Sequence, residues 1–171
     1  MITTTYDLLA EHPFLAGMPP EQVERLAPWG HRALFHAGTR VFSEGGKAGR
    51  FWLIRDGRVA LDTYVPGRGD VVIETLGPGA VLGWSWLFPP YRWHLGATAL
   101  EQTLTVELDG AGVLRLCAED PAIGYELHRR FIEVVVDRLQ ATRVRLLDLY
   151  GRTLRLPAVT DPELLPPAGG A

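Results

Sequence analysis

The sequence predicts a mainly β domain, a sandwich, jelly roll or barrel, that is flanked by helices and followed by one long C-terminal helix. Between residues 30 and 109, glycines recur every few positions and separate short segments rich in Val, Leu, Phe and Ile. Many short strands at such spacing are typical of sandwiches, rolls and barrels. On both sides of this stretch the apolar residues follow helical spacing instead.

Length and composition limit the class of protein. A chain of 171 residues that is 47% hydrophobic and 22% charged fits one ordinary globular domain. The formal net charge of −3 gives no overall attraction to nucleic acid or anionic membranes. A single cysteine, Cys117, excludes an internal disulfide and a cysteine-rich metal site. Because the sequence has neither a signal-peptide pattern nor an apolar run of membrane-spanning length, we expect a cytoplasmic protein.

The spacing of glycines and of apolar residues divides the chain into segments. Short N-terminal helices are predicted within 4–28, the β-roll covers 30–109, and C-terminal helices occupy 110–152. Together they form one predicted domain, 1–152. The remaining tail, 153–171, is rich in Pro, Gly and Ala, so we expect it to be loose.

The segment RFWLIRDGRVALDTYV predicts a β-hairpin. Two strand-like runs are joined by Asp56-Gly57, a pair that tolerates the positive φ angles of a tight turn. In the second run, apolar and other residues alternate from Val59 to Val65, which is the periodicity of a strand.

A long helix is predicted from Asp120-Pro121, a favourable helix start, to about Tyr150. A helix of about 30 residues would span about 45 Å, more than a small β-domain needs as cover. Its apolar residues follow heptad spacing, which predicts a seam packed against a second copy of the chain. The alternative is that this helix packs only on its own domain. The seam residues are His128, Ile132, Val135, Leu139, Thr142, Leu146 and Leu149.

Three glycine-containing motifs resemble the cyclic-nucleotide-binding domain of the catabolite-activator (CRP/FNR) family. They are G-x-x-V-F-x-E-G at 38–45, W-L-I-x-D-G-x-V at 52–59 and L-G-P-G-x-V-L-G at 76–83. The resemblance covers about residues 10–152. It implies a double-stranded β-helix jelly roll, a ligand inside the roll beneath a short helical phosphate-binding cassette, and a long helix that forms a parallel dimer seam.

The predicted cassette is GWSWLFPPYRWHLGATA, residues 83–99. In the family, a Glu after the glycine binds the ribose hydroxyl, and an Arg about ten residues later pairs with the cyclic phosphate. Here Gly83 is followed by Trp84, and the Arg position falls on His94 or Leu95. The Ala97-Thr98 pair favours Leu95, with Gly96 in place of the usual Ser or Thr. Both polar anchors are therefore missing, and we do not expect tight binding of cyclic AMP or cyclic GMP in the usual way.

Other residues of the segment are candidates to replace these anchors. Arg92 is a displaced phosphate ligand or a surface residue stacked on Trp93, and His94 and Ser85 are further hydrogen-bonding candidates. The aromatic residues either form the wall of a flat apolar site or fill the cavity. Thr142 either reaches a ligand from the helix side or sets the register of the seam. The candidate pocket comprises Gly83, Trp84, Ser85, Trp86, Arg92, Trp93, His94, Leu95 and Thr142.

The sequence favours a non-catalytic module. It contains no His-x-His pair, so we expect no metal, and no Gly-x-Ser-x-Gly elbow of a serine hydrolase. After Tyr150 the chain offers no recognition helix, so no sequence-specific DNA binding is expected. Our leading interpretation is a regulatory or sensor module that acts as a homodimer on an unidentified protein partner, with or without a small-molecule ligand. The alternatives are a ligand-free structural module whose pocket is filled by tryptophan, or an atypical binder of cyclic nucleotide or of haem ligated by His36, His94 or Cys117.

Overall fold

A computed structural model of the chain describes residues 4–151. The chain divides into two compact units between Val134 and Val135, and each unit is described by itself. The first contains the N-terminal helices, the sheets and the start of the last helix. The second contains the rest of that helix.

The N-terminal helices form where the sequence predicts them. A capping box starts the first helix, because the Thr4 side chain accepts from the Asp7 N–H while the Asp7 carboxylate accepts from the Thr4 N–H. The buried faces of these helices contribute Leu8, Leu9 and Leu26 to the core. The elements are α1 (Thr5–Ala10), a 3₁₀ turn (Pro13–Leu15), α2 (Pro20–Leu26) and a second 3₁₀ turn (Ala27–Trp29).

Eight strands follow, and they form two four-stranded antiparallel sheets. The first sheet has the order β1-β8-β3-β6 and the second the order β2-β7-β4-β5. This arrangement confirms the predicted mainly β fold with flanking helices. The strands are β1 (Gly30–Phe35), β2 (Arg40–Phe42), β3 (Arg50–Asp56), β4 (Val59–Val65), β5 (Gly69–Leu76), β6 (Val81–Leu82), β7 (Gly96–Ala99) and β8 (Thr103–Asp109).

The predicted hairpin at Asp56-Gly57 is wrong. Strand β3 pairs with β6 and β8, whereas β4 pairs with β5 and β7, so the chain passes from one sheet to the other at this point. Gly57 does have the expected positive φ of 86°, but a Cβ there would lie 2.5 Å from the Gln102 carbonyl oxygen. The positive φ of Gly57 therefore allows the chain to turn from the first sheet into the second. The hairpin of this region is β4–β5, closed around Gly67.

Two helices follow the sheets, α3 (Gly110–Glu119) and α4 (Pro121–Gly151). The Asp109 carboxylate accepts from the Gly112 N–H and caps α3. In the first unit, Ile123, Leu127 and Phe131 form the buried stripe of α4. The Phe131 ring contacts other aromatic rings of the core, including that of Phe14 at a centroid distance of 4.9 Å.

The stripe that α4 buries in the first unit differs from the predicted seam. Ile132, Leu139 and Leu146 are exposed in the single chain, and Val135 is half-buried. Among the polar seam positions, His128 donates from Nδ1 to the Gly124 carbonyl, at 2.7 Å. The Leu149 side chain lies outside the described residues, as does the tail 153–171. Pairing through the seam stays a prediction.

Over residues 4–151, no helix combines the length and apolarity that crossing a membrane requires.

Candidate functional site

Residues 83–95 of the cassette are mostly irregular backbone, and residues 96–99 form β7. Gly83 ends β6 with a φ of 88°, and only Ser85–Leu87 form a helical turn, of the 3₁₀ type. The expected short cassette helix is therefore reduced to a single turn. The consecutive prolines Pro89 and Pro90 lack N–H groups and cannot continue it. The chain regains regular structure at β7.

The second half of the cassette is hydrogen-bonded to the loop that precedes β3. The Ala48 N–H donates to the Tyr91 carbonyl at 2.7 Å, and the Trp93 N–H donates to the Gly46 carbonyl at 2.9 Å. Arg92 is exposed, and its Nη1 donates to the Gly45 carbonyl at 2.8 Å. The side chain predicted as a displaced phosphate ligand is thus engaged with the protein backbone.

Trp86 belongs to the core beneath the C-terminal helices. Its indole stacks on Phe51 of β3 at a centroid distance of 4.6 Å, with 10° between the ring planes. The Phe131 ring of α4 meets Trp86 edge-on at 5.4 Å. Trp86 therefore connects the cassette directly with the start of α4.

Trp93 fills space between the two sheets. Its ring stacks on Phe42 of β2 at 3.9 Å and lies 6.0 Å from the ring of Trp52 on β3. A Cβ at Gly83 would lie 2.9 Å from the Trp93 ring, so the ring can pack there because residue 83 has no side chain. Both Trp86 and Trp93 point inward and are buried.

Sequence reasoning missed a buried carboxylate beside this aromatic group. Glu107 on β8 accepts from the Trp52 Nε1–H at 2.7 Å through Oε2, and its Oε1 lies 2.8 Å from Arg50 Nη1. His31 Nε2 lies 3.6 Å from the same Oε1. The alternation within TLTVELD places Glu107 on one strand face with Thr103 and Thr105, which was the available signal.

Trp84 and His94 meet at the outer side of the cassette. Their rings are nearly parallel, with 20° between the planes and 5.4 Å between the centroids. His94 is exposed and Trp84 is half-buried. Ser85 Oγ lies 3.1 Å from His94 Nδ1, and its hydroxyl donates to that nitrogen in the Nε2-protonated tautomer. The Phe88 ring lies 5.7 Å from Trp84 and extends the aromatic surface.

An ion pair covers the backbone of Gly96, which sequence analysis placed at the family's Ser or Thr position. Arg40 Nη1 donates to Asp62 Oδ2 and, at 2.9 Å, to Thr98 Oγ1. The Asp62 hydrogen bond raises the pKa of Arg40. A Cβ at Gly96 would lie 2.1 Å from Arg40 Nη2. A side chain at position 96 would therefore displace this ion pair.

The remaining candidate residues are placed separately. Leu95 is half-buried and packs against the core. Thr142 is exposed in the second unit, where its Oγ1 donates to the Arg138 carbonyl at 2.8 Å. Cys117 is half-buried, and burial, followed by the Asp120 charge, raises the pKa of its thiol. Within the described part of the chain, no group of three or more His, Cys, Asp or Glu residues is arranged to hold a metal ion.

Comparison with known proteins identifies the family. The sequence profile described as cyclic nucleotide-binding domain matches residues 32–120, just over half of the chain. The chain belongs to the cyclic nucleotide-binding domain family. This assignment confirms the resemblance carried by the three motifs.

A curated relative and a solved structure are similar to this chain in sequence. The chain is 26% identical over 115 residues to the cyclic AMP receptor protein of Thermus thermophilus, covering 67% of this chain and 53% of that protein. It therefore spans about half the length of that relative. A candidate cyclic nucleotide-binding protein of Geobacter metallireducens GS-15 is 27% identical, with a TM-score of 0.70 over 81% of this chain and 99% of the other.

A cyclic nucleotide-binding domain from Methylobacillus flagellatus KT shares the fold, with a TM-score of 0.75 over 89% of this chain and 86% of the other. Its sequence identity is 21%.

Proposed function

We propose that this chain is a non-catalytic regulatory module that acts as a homodimer on another protein and does not hold a cyclic nucleotide in the family's usual way. The observation that carries the proposal is the stacking of Trp84 on His94 at 5.4 Å. Trp84 stands where the resemblance puts the ribose-binding Glu, and the phosphate-binding Arg position falls on His94 or on the favoured Leu95, neither of which carries a guanidinium. Two stacked rings supply neither a carboxylate for a ribose nor a guanidinium for a phosphate.

The nearby cation does not compensate for this loss. Arg92 Nη1 donates to the Gly45 carbonyl, and the backbone on either side of Arg92 is hydrogen-bonded to the loop 46–48. This bond uses one of the five guanidinium N–H donors, and it ties the exposed Arg92 side chain to the loop that precedes β3. An enclosed phosphate without a cation costs several kcal/mol. Because Arg92 is exposed and tied to this loop, it supports a cassette that does not enclose a phosphate in the family's usual way.

The homodimer rests on the exposed heptad of α4. Ile132, Leu139 and Leu146 are 62%, 55% and 47% exposed in the single chain, so a row of large apolar side chains is left in water. Pairing with a second copy would bury them as a coiled-coil seam. This is the dimer helix implied by the family resemblance.

A contact path from the cassette to α4 supports regulation. Trp86 stacks on Phe51 and meets Phe131 of α4 edge-on. A displacement of the 3₁₀ turn would therefore change the packing of the first part of α4. We infer that ligand entry or partner contact at the cassette biases the seam through this aromatic contact.

Titration with cyclic nucleotides tests the proposal. Because the chain has five tryptophans, three of them in the cassette, its fluorescence reports directly on ligand entry. We expect no saturable change with cyclic AMP or cyclic GMP, and no heat by calorimetry. A micromolar response to cyclic AMP that disappears in Arg92→Ala would overturn the proposal and make Arg92 the phosphate ligand.

A ligand-free interaction module is the second candidate, and the packing of Trp93 favours it. The Trp93 ring stacks on Phe42 at 3.9 Å and is buried inside the roll, where the family resemblance implies a ligand. Fluorescence against a panel of apolar and aromatic metabolites separates the candidates. A saturable response supports a sensor, and its absence across the panel supports a module that acts by protein contact alone. An absorption spectrum with a Soret band would instead identify a haem protein.

A further inference from the structure

The cassette and the loop before β3 place two cations directly opposite each other. Lys47 and Arg92 form an antiparallel bridge between these segments, and both side chains are exposed. The backbone hydrogen bonds of the bridge, 2.7 Å and 2.9 Å long, are made by the residues on either side of the pair. In a pair of this kind the two side chains lie on the same face and come closest, with Cβ atoms about 4.5–5.5 Å apart.

No carboxylate balances these two charges. Within residues 4–151, neither Lys47 nor Arg92 takes part in an ion pair, and the Arg92 guanidinium donates to the Gly45 carbonyl. The segments 45–50 and 83–99, which form the bridge and its surroundings, contain no Asp or Glu. Like charges that lie directly opposite each other destabilise a β-pair. The protein therefore keeps an unfavourable contact that a bound anion would relieve.

Aromatic rings continue this exposed surface beyond Arg92. Arg92 and His94 are both exposed, whereas Trp93 between them is buried, so the two exposed side chains lie on the outer side of the cassette. The His94 ring stacks on Trp84 at 5.4 Å. The Phe88 ring is 5.7 Å from that of Trp84 and is 45% exposed. We define the outer strip as Lys47, Arg92, His94, Trp84 and Phe88.

We propose that the outer strip binds an extended segment of a partner protein in which acidic residues adjoin proline or aromatic residues. The carboxylates would pair with Lys47 and with the remaining N–H donors of Arg92. The apolar rings would pack on Trp84 and Phe88, as proline and aromatic side chains do on exposed aromatic surfaces. The inference rests on the proposed function and adds the chemistry of the partner.

The charge of the outer strip favours a protein segment over nucleic acid. Nucleic-acid binding draws its affinity from many phosphate contacts, whereas the outer strip supplies two strong cations, Lys47 and Arg92. The formal net charge of the whole chain is −3. One or two carboxylates beside apolar side chains match this surface in both charge and size.

Selection from a phage-displayed library of random peptides on the immobilised full chain tests the partner chemistry. We expect enriched sequences in which Asp or Glu adjoins Pro, Phe, Tyr or Trp. A synthetic peptide of the enriched sequence should bind saturably by fluorescence anisotropy and more weakly as the salt concentration rises. Replacing its acidic residues by Lys should weaken binding at least tenfold. No enrichment, or enrichment of basic or uncharged peptides, contradicts the inference.

Charge reversal at Lys47 separates binding from stability. Lys47→Glu replaces the like-charge pair by an opposite-charge pair, so it should raise the midpoint of urea denaturation while weakening peptide binding at least tenfold. Arg68→Glu is the matched control, because Arg68 is exposed between β4 and β5 and lies outside the outer strip. It should bind the peptide as the unaltered chain does.

A second pair of variants tests the aromatic end of the outer strip. Phe88→Ser removes an exposed ring and should also weaken peptide binding at least tenfold. Tyr125→Ser removes a ring of α4 that is 67% exposed, and it should leave peptide binding unchanged. Binding that survives both Lys47→Glu and Phe88→Ser would place the peptide elsewhere on the protein and overturn the inference.

Two further measurements identify other occupants. Oligothymidylate that binds as tightly as the peptide, and loses its binding in Lys47→Glu, would replace the inference by nucleic-acid binding. Conversion of a dimer to a monomer by Lys47→Glu in sedimentation velocity would assign the outer strip to a second copy. The cyclic AMP titration is a separate readout: a saturable response overturns the proposed function, whereas absence of peptide binding overturns this inference alone.

Discussion

His12 holds its position at the junction of the N-terminal helices and β3 by using both ring nitrogens. Nδ1 caps the 3₁₀ turn by accepting from the Phe14 N–H, and Nε2 carries the proton that is donated to the Ile54 carbonyl. Only the neutral ring can accept and donate in this way. Burial lowers the pKa of His12 below its ordinary value; the Ile54 hydrogen bond opposes that shift, and the positive charge of Arg55 adds to it.

The consequence is a pH-dependent contribution of His12 to stability. In the unfolded chain its pKa returns to about 6.5, so below that pH the unfolded state binds a proton that the folded state resists. The contribution is fully present above the unfolded pKa and is lost as the pH falls through the folded pKa. We expect His12→Gln to be less stable at pH 7.5 and to lose less stability on acidification.

Urea denaturation between pH 7.5 and pH 5 measures the effect as the difference between the unaltered chain and the variant. His36→Gln is the matched control, because His36 is exposed. The control should keep the pH dependence of the unaltered chain. An identical pH dependence in His12→Gln would show that His12 is not held neutral by the fold.

At the scale of elements, the cassette depends on close contact between Gly83 and Trp93. Gly83 has a φ of 88°, and a Cβ there would lie 2.9 Å from the ring. Gly83→Ala therefore combines backbone strain with displacement of a buried indole. We expect it to lower the free energy of unfolding by about 2–4 kcal/mol.

Chemical denaturation followed by tryptophan fluorescence measures this loss. Gly77→Ala is the control, because Gly77 has an ordinary φ and no neighbouring atom lies within 4 Å of the point that an added methyl group would occupy. It should change stability by less than about 1 kcal/mol. Equal effects of the two substitutions would mean that Trp93 can move aside without cost.

The second element with a testable role is α4. Leu139 is 55% exposed and lies on the predicted seam, whereas Val144 is 57% exposed and lies on the opposite side of the heptad. Leu139→Asp would place a charge in the seam and should convert the dimer to a monomer. Val144→Asp should leave the dimer unchanged. Sedimentation velocity distinguishes them, and a monomeric unaltered chain would contradict the seam.

For the whole molecule, patterns that are local in sequence predicted the architecture, whereas pairings between distant segments escaped them. Glycine spacing and apolar periodicity indicated the strands of 30–109 and the helices on both sides. The Asp56-Gly57 pair predicted a positive φ correctly, but positive φ serves a corner between sheets as well as a hairpin. Strand partners depend on contacts across the whole roll.

For the candidate site, the sequence supplied the residues but not their contacts. The proposed loss of the polar anchors rests on the cassette sequence alone, so Trp84 and His94 could be selected in advance. Their stacking could not, since it depends on how the irregular backbone of 88–95 folds back. The bond from Trp52 to Glu107 joins residues 55 positions apart, and the Arg40–Asp62 pair spans 22. Such contacts leave little signal in one sequence.

The proposed dimer would make the thermal stability of the whole molecule depend on protein concentration. Because the seam is buried only in the dimer, a higher protein concentration favours the native state by mass action. The gain is about 1.4 kcal/mol of association free energy for each tenfold increase in concentration. For a chain of this size we expect the midpoint of thermal unfolding to rise by about 2–5 °C per tenfold increase in protein concentration.

Leu139→Asp should remove this dependence on concentration, and Val144→Asp should retain it. Differential scanning calorimetry over a hundredfold range of concentration measures it. A midpoint independent of concentration in the unaltered chain, while sedimentation shows a dimer, would mean that the helices pair without contributing to the stability of the fold.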